Sequence, residues 1–550
     1  MSPPNTSDTS DTSNIRQAAH TTTSPVATPP VETVPVPPIS ESGRGSADPW
    51  LVLAGIVVLG GISAAAYHLG FVRPYLMERY YLTPLLDLAK INHYTASAAN
   101  EWGFTWIVLF ACYYLAFHVM PSAVGVSGAF RRGALAVICG WAALFSIDLI
   151  FMYPVGAADL FDQIFRARLT AHYGLNPFTT LPASIQGDPF QQYVAWRGDP
   201  SPYGPMWEVL AAGAGWLAGN SLWNNLIIFK LLVAAAYGVS VALTYGILRT
   251  LRPDWALRGT LFFAWNPLVL FEVAGNGHND AVVVMFLLAA VYLLVLAKQR
   301  AVLPALMAGV LTKFVPFVLI PPAVSAIWRD RATGRRSSFE AFSSLLVGGV
   351  LALGLAVVLY APFWEGPQSI GALGRQGLFT ASIPRVAVDA LVYELGLTQA
   401  TAQAIVRNAA AILVGLVSFW LALRIYLRGN ARTAEEQQAL VSKTLSAFYE
   451  IIFVYLALAT LWFQPWYLMW LVALTAPTAR LTNANRTVLF CIGGIANYFV
   501  WDFIWLWNRA SVRDIQITSV LAVYTLPLLY TLYVWLMHAQ DRQSGLGAEG

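Results

Sequence analysis

LLVGGVLALGLAVVLYAPF, residues Leu345 to Phe363, contains no charged side chain. A helix of about 20 such residues crosses a hydrocarbon core of about 30 Å and satisfies its own backbone hydrogen bonds there. WLVLAGIVVLGGISAAAYHLGFV (Trp50 to Val72) and LIIFKLLVAAAYGVSVALTYGIL (Leu226 to Leu248) repeat the pattern with almost no charge. Of the 550 residues 57% are hydrophobic and 11% charged, against about 25% charged in a soluble domain. The mean hydropathy is +0.57. No soluble fold hides that much apolar surface, so an all-α polytopic membrane bundle of about 12 to 14 spans is expected.

The remaining composition narrows the function classes. The net charge of +4 comes from scattered Arg and Lys that punctuate span ends rather than one basic face, which argues against nucleic-acid binding. Cys112, Cys139 and Cys491 lie in apolar stretches without metal-ligand spacing and are read as core packing, with no disulfide framework. Residues 1 to 48, rich in Ser, Thr and Pro and including VATPPVETVPVPP, are expected to form a disordered cytoplasmic tail. They lack the basic-then-apolar pattern of a cleavable signal, so the span from about Trp50 is read as an uncleaved anchor in the plasma membrane. The membrane domain is expected over 49 to 540, followed by a flexible tail over 541 to 550.

Basic clusters orient the bundle, because cytoplasmic loops collect Arg and Lys. The strongest is Arg329, Arg331, Arg335 and Arg336. Others hold Arg131 and Arg132; Arg249, Arg252 and Arg258; Lys298 and Arg300; and Arg424, Arg428, Arg432 and Lys443. One crossing from Arg132 delivers GAADLFDQIFRARLTAHYGLNPF (Gly156 to Phe178) to the opposite side, and one crossing from Arg258 delivers GNGHND (Gly275 to Asp280). Two short helices meeting near Lys313 place it there too, and a crossing from Lys443 delivers QPWY (Gln464 to Tyr467). Four polar clusters thus count to one non-cytoplasmic face. Between the first cluster and Arg249 two apolar segments lie where an odd number of crossings is required. The shorter, about Pro205 to Gly219 with Glu208, is read as re-entrant or interfacial.

The stretch from about Pro154 to Tyr203 is the longest polar loop. Its first part has amphipathic spacing suited to a helix at the membrane surface, with Leu160, Ile164, Phe165 and Leu169 among charges. Asp188, Arg197 and Asp199 are read as a solvated face. Asp159 and Asp162 follow a span directly, where a carboxylate points to function. In GNGHND, Asn279 or Asp280 caps the next helix or serves a site, and the two roles are compatible. Lys313 interrupts an apolar run and is costly there unless paired or facing water. QPWY suits an interfacial aromatic belt more often than a sugar platform. A Ser-His-Asp triad, a Cys-x-x-Cys pair, a phosphate loop and a His-Glu-x-x-His motif are absent, which leaves nucleotide hydrolysis and zinc chemistry unsupported.

Asp159 just beyond a span, Arg168 followed by YGLNPF (Tyr173 to Phe178), and SPYGPMW (Ser201 to Trp207) resemble the GT-C superfamily of membrane glycosyltransferases. WNPLVLFEVAGNGHNDA (Trp265 to Ala281), LTKF (Leu311 to Phe314) and QPWYLMW (Gln464 to Trp470) extend the likeness to the prokaryotic mannosyltransferase-like branch that uses polyprenyl-phosphate sugars. In that family the Asp of the first large external loop is the catalytic carboxylate, and Asp159 is the matching position. The chain departs from the pattern with Gln163 and Ala167, where relatives often have Tyr and Gly before the Arg.

The resemblance implies sugar transfer, with mannose expected, from a polyprenyl phosphate to a glycan or glycolipid at the extracytoplasmic membrane face. Asp159 would be the base, with Asp162 its rival three residues on. Arg166, Arg168, Lys313 and His278 are the candidates for the donor phosphate. Asn176, Tyr203, Asn279, Asp280, Gln464 and Trp466 are the substrate-binding candidates. No cofactor is expected beyond the lipid-linked donor, and a divalent metal requirement is left open. The competing readings are a secondary transporter or lipid flippase, for which the sequence shows no repeated halves, and a scaffolding or sensory membrane protein.

Overall fold

The computed structural model describes residues 48–156, 158–331, 337–370, 378–508 and 511–546. The expected tail over 1 to 48 lies almost wholly outside them, as do Arg335, Arg336 and residues 547–550. Among the described residues the secondary structure is helical and contains no strand. Nine helices among the described residues are long and apolar enough to cross a membrane: Pro49–Val72, Ala96–Val119, Gly128–Ile150, Leu222–Leu251, Ser338–Phe363, Gln399–Tyr426, Ala434–Ala459, Leu481–Asn508 and Val512–Met537. Two shorter apolar helices, Asp280–Val295 and Val315–Arg329, add to them. The protein is thus an all-α polytopic membrane protein. Further crossings counted in the sequence are broken pieces. The segment from Ala256 to Gly275 is split at Asn266 and Pro267 and ends in a π-helical turn, Phe271–Gly275.

Helix starts follow local chemistry. Ser337 with Glu340, and Thr433 with Glu436, form reciprocal capping boxes at Ser338–Tyr360 and Ala434–Val454. Burial then sorts the helices. Ala434–Ala459 and Leu481–Asn508 are largely enclosed by protein, whereas Ser338–Phe363 and Val512–Met537 expose most of their apolar surface. Leu346, Val350, Leu353, Val357 and Val358 lie on that outer surface, where a bilayer is the solvent that accepts them. Cys112 and Cys491 are buried as expected, but Cys139 is exposed on the outer side of Gly128–Ile150, so its apolar context reflects lipid rather than core.

Two ends of the bundle differ in chemistry. At one, the basic loops pack together: Arg331 N donates to Ala431 O, Arg329 reaches Asn430 Oδ1, and Gln299 donates to Asp330. Helix Asp280–Val295 leads away from that end and spans 16 residues, about 24 Å of axis, so its first residue Asp280 lies at the other end. The helix carrying Glu208, Pro205–Ala218, has 14 residues, about 21 Å, and stops at a turn before the 30-residue Leu222–Leu251.

That long helix carries two charges, Arg249 in its last turn and Lys230 in its interior. Lys230 is fully buried, and its Nζ donates to Ile150 O at 3.1 Å and to Met152 O. A cation on the last carbonyls of Gly128–Ile150 complements that helix terminus. It also fixes the point from which the chain enters the segment carrying Asp159.

Candidate active site

Helix Asp159–Ala171 forms where the amphipathic spacing predicts it. A helix lying at the membrane surface would leave its polar side in water, but Leu160 through Leu169 are all buried. The reason is that the loop after the helix folds over its polar side and supplies the partners that water would have supplied. Asp162 accepts from Trp196 N at 3.2 Å. Arg166 donates to Asp199 O at 3.0 Å and Trp196 O at 3.3 Å. Arg168 grips Asp188 Oδ2 through Nε at 3.2 Å and Nη2 at 2.7 Å, donates to Asn220 Oδ1 at 2.9 Å, and lies over the Phe190 ring.

Asp188 therefore corrects the reading of a solvated residue. It is buried, and it also accepts from Tyr173 OH at 2.6 Å and Phe190 N at 2.7 Å. Burial pushes its carboxyl up, but the bonds from Arg168, Tyr173 and Phe190 outweigh that and hold it below its ordinary value of 3.8. The same hydrogen bond to Asp188 raises the Tyr173 hydroxyl. Arg197 is exposed, in line with its sequence reading, and Asp199 is half-buried. Asn176 is likewise a loop anchor, donating to Phe363 O at 2.7 Å and accepting from Phe178 N at 3.0 Å.

Asp159 occupies the first turn of the helix and is half-buried. Just before it, Gly156 N donates to Asn276 Oδ1 at 3.1 Å. Asn276 Nδ2 in turn donates to Glu272 Oε2 at 2.8 Å, and Tyr498 OH donates to Glu272 Oε1 at 2.9 Å. His278 Nε2 stands 3.4 Å from Glu272 Oε2, and its ring stacks on Trp466 with centroids 3.9 Å apart. Asp159 lies near Glu272, Tyr467 and Tyr498. Gly277, with φ of +77°, makes the turn that brings His278 back over Glu272, and a Cβ there would press on Leu160 at 3.0 Å.

Lys313 closes the group on the other side. Its Nζ lies 2.9 Å from both oxygens of the fully buried Asp280, 4.7 Å from the Tyr467 ring centroid and 5.6 Å from that of Trp470. The SPYGPMW loop holds the Lys313 turn by two main-chain bonds, Gly204 N to Thr312 O at 3.1 Å and Met206 N to Leu311 O at 2.9 Å. Tyr203, on that loop, lies near Tyr467. Asn279 is buried, and its Nδ2 has no hydrogen-bond partner among the described residues. Its side chain does not cap Asp280–Val295.

A cavity of about 550 Å³ opens beside Asp159, with Gly156, Ala158, Gln464 and Tyr498 in its wall. The four polar clusters thus meet around one place. Asp159, Tyr203, Asn279, Asp280, His278, Lys313, Gln464 and Trp466 are brought together; Arg168 and Asn176 are not. Nine residues of helix put Arg168 about 13 Å of axis from Asp159. Asp162 and Arg166 are committed to the covering loop. Glu272 and Tyr498 were missed in the sequence, although a glutamate within LVLFEVAG is a signal by cost alone. Among the described residues no group of three His, Cys, Asp or Glu side chains is placed to hold a metal ion.

The geometry can be set beside known proteins. The family model for alpha-(1->6)-mannopyranosyltransferase, N-terminal domain, matches residues 52–329, a stretch that includes Asp159, Glu272, Asp280 and Lys313. A probable alpha-(1->6)-mannopyranosyltransferase of Mycolicibacterium smegmatis is 26% identical over 151 residues, 26% of this chain and 26% of that protein. Alpha-(1->6)-mannopyranosyltransferase A of Mycobacterium tuberculosis is 22% identical over 379 residues, 65% of this chain and 70% of that protein. The chain thus spans about a quarter of the first curated relative and about two thirds of the second. The crystal structure of the Archaeoglobus fulgidus oligosaccharyltransferase with a tethered acceptor peptide shares 14% identity at a TM-score of 0.35, covering 73% of this chain and 55% of that one. That likeness is too distant to carry an inference. With its family model matched over just over half its length, the chain belongs to the alpha-(1->6)-mannopyranosyltransferase family.

Proposed function

We propose that the protein transfers a mannosyl group from a polyprenyl-phosphate donor to a hydroxyl of a membrane-borne glycan or glycolipid, at the non-cytoplasmic face. The observation that carries this reading is that Asp159 and the buried Asp280–Lys313 pair all lie near Tyr467, in a chain of this family. The relatives are named for alpha-(1->6) transfer, so the attacking group is taken as a primary 6-hydroxyl. Its oxygen bonds to the mannosyl C1 as the C1–O bond to phosphate breaks, and the phosphate leaves with the electron pair. The hydroxyl proton passes to Asp159.

Positive charge grows on the sugar and negative charge on the leaving phosphate. Lys313 is the cation placed to meet the phosphate, oriented by Asp280 and backed by Tyr467 and Trp470. Arg168, spent on Asp188, holds the loop instead and leaves the donor assignment to Lys313. Arg166 likewise ties the loop down through two carbonyls. The hydrogen-bonded Glu272, Asn276 and Tyr498 set the position of the Asp159 turn through Gly156. Membranes containing the protein, given radiolabelled polyprenyl-phosphate mannose and an alpha-mannoside acceptor, are expected to form labelled product. Absence of product across lipid and glycan acceptors would overturn the reading.

A further inference from the structure

We propose that the cavity beside Asp159 is the acceptor subsite and that Asp502, with Gln464, Asn497 and Trp501, recognises the hydroxyls of a neutral sugar; this rests on the reading of the protein as a mannosyltransferase. The cavity of about 550 Å³ falls within the roughly 300–1,000 Å³ usual for small-ligand sites. Ala158 in its wall directly precedes Asp159, so a hydroxyl held there lies next to the candidate base.

The lining chemistry chooses between acceptor and donor. Asp87 and Asp502 both face the cavity. Lys90 also lines it but is held by Asp87 at 2.9 Å. The wall thus carries two carboxyl groups and a single ammonium already engaged by Asp87, a lining that hydrogen-bonds sugar hydroxyls and offers a phosphate no free cation. Lys313, the cation suited to phosphate, is not part of this wall. Among the described residues no hydrogen bond is made by the Asp502 carboxyl or the Gln464 side-chain amide, and both line the cavity where a ligand can meet them. Ser519 fixes the other two: it donates to Asn497 Oδ1 and accepts from Trp501 Nε1 at 3.3 Å. Asn497 therefore keeps its amide hydrogens for a ligand, and the Trp501 ring is held as a wall against which a sugar face can pack.

The test uses the full purified chain in detergent and two readouts. The first is binding of an alpha-(1->6)-linked mannose oligosaccharide, followed by tryptophan fluorescence without donor. The second is the pair of KM values for acceptor and for polyprenyl-phosphate mannose. Asp502→Asn and the milder Gln464→Ala are each expected to weaken oligosaccharide binding and raise the acceptor KM roughly tenfold, the size of one lost charge-assisted or buried hydrogen bond. The donor KM is expected to stay within about twofold, which also reports that the variants fold. Oligosaccharide binding without any transfer by the unmodified protein would sink the transferase reading and keep the subsite. No binding by the unmodified protein, unchanged acceptor KM in both variants, or a rise confined to the donor KM would overturn the subsite.

Discussion

Lys313 Nζ lies 2.9 Å from both carboxylate oxygens of Asp280, which is fully buried, 33 positions earlier in the chain. The pair joins the turn of GNGHND to the turn of LTKF, and neither charge is affordable there alone. Lys313→Met is therefore expected to cost about 3–5 kcal/mol by stranding the carboxylate. Lys313→Met combined with Asp280→Leu should recover most of that stability. Transfer should remain at least about 100-fold down in the double variant, because the cation for the leaving phosphate is still missing. Thermal unfolding in detergent and the labelled-donor assay check the two halves separately.

Arg168 and Asp188 make the second test. Because the Asp188 carboxyl is held below 3.8 in the folded chain, its contribution is present above its unfolded value and is lost as pH falls through the folded one. Proteolysis of the 172–204 loop should accelerate as pH drops below about 4. In Asp188→Asn the loop should be loosened at every pH, and this part of the pH dependence should vanish. Arg168→Ala, which leaves the carboxylate buried without its partner, should cost about 3–5 kcal/mol.

Gly204 supplies a steric test. A Cβ on it would sit 2.0 Å from Leu311 O, a backbone atom with nowhere to go, whereas a Cβ on Gly213 meets nothing within 4 Å. Gly204→Ala is expected to destabilise by about 1–3 kcal/mol and to lower transfer by displacing the Lys313 turn. Gly213→Ala, inside the helix Pro205–Ala218 that Gly204 precedes, should be neutral or stabilise by about 0.5–1 kcal/mol. Equal unfolding temperatures for the two variants would contradict the close docking of the SPYGPMW loop.

Much of this was legible in the chain, and the exceptions share a cause. Apolar runs disclose spans because a bilayer demands length and composition, and Lys313 and Asp280 stand out because each is costly in its surroundings. Cost is local, but the partner that meets it is not. Asp188 looks like any charged loop residue until Arg168 and Tyr173 are seen around it. Glu272 hides in LVLFEVAG because its partner Tyr498 lies 226 positions away. Asp502 is similarly masked by the aromatic run WDFIWLW. The polar stripe of Asp159–Ala171 gave the helix correctly and the solvent wrongly, since periodicity marks a face without saying what covers it.

The central claim is that Asp159, rather than Asp162, is the base. Both lie on the first turn of one helix, but Asp162 is buried and accepts from Trp196 N at 3.2 Å, while Asp159 is half-buried beside the cavity. The measurement is the initial rate of labelled mannose transfer from polyprenyl-phosphate mannose by Asp159→Asn and Asp162→Asn, at matched expression and donor binding. The expected result is a loss of about 100- to 10,000-fold for Asp159→Asn, with a smaller loss for Asp162→Asn that tracks its reduced stability. Transfer by Asp159→Asn at the unmodified rate would contradict the account, and a reversed order would move the base to Asp162.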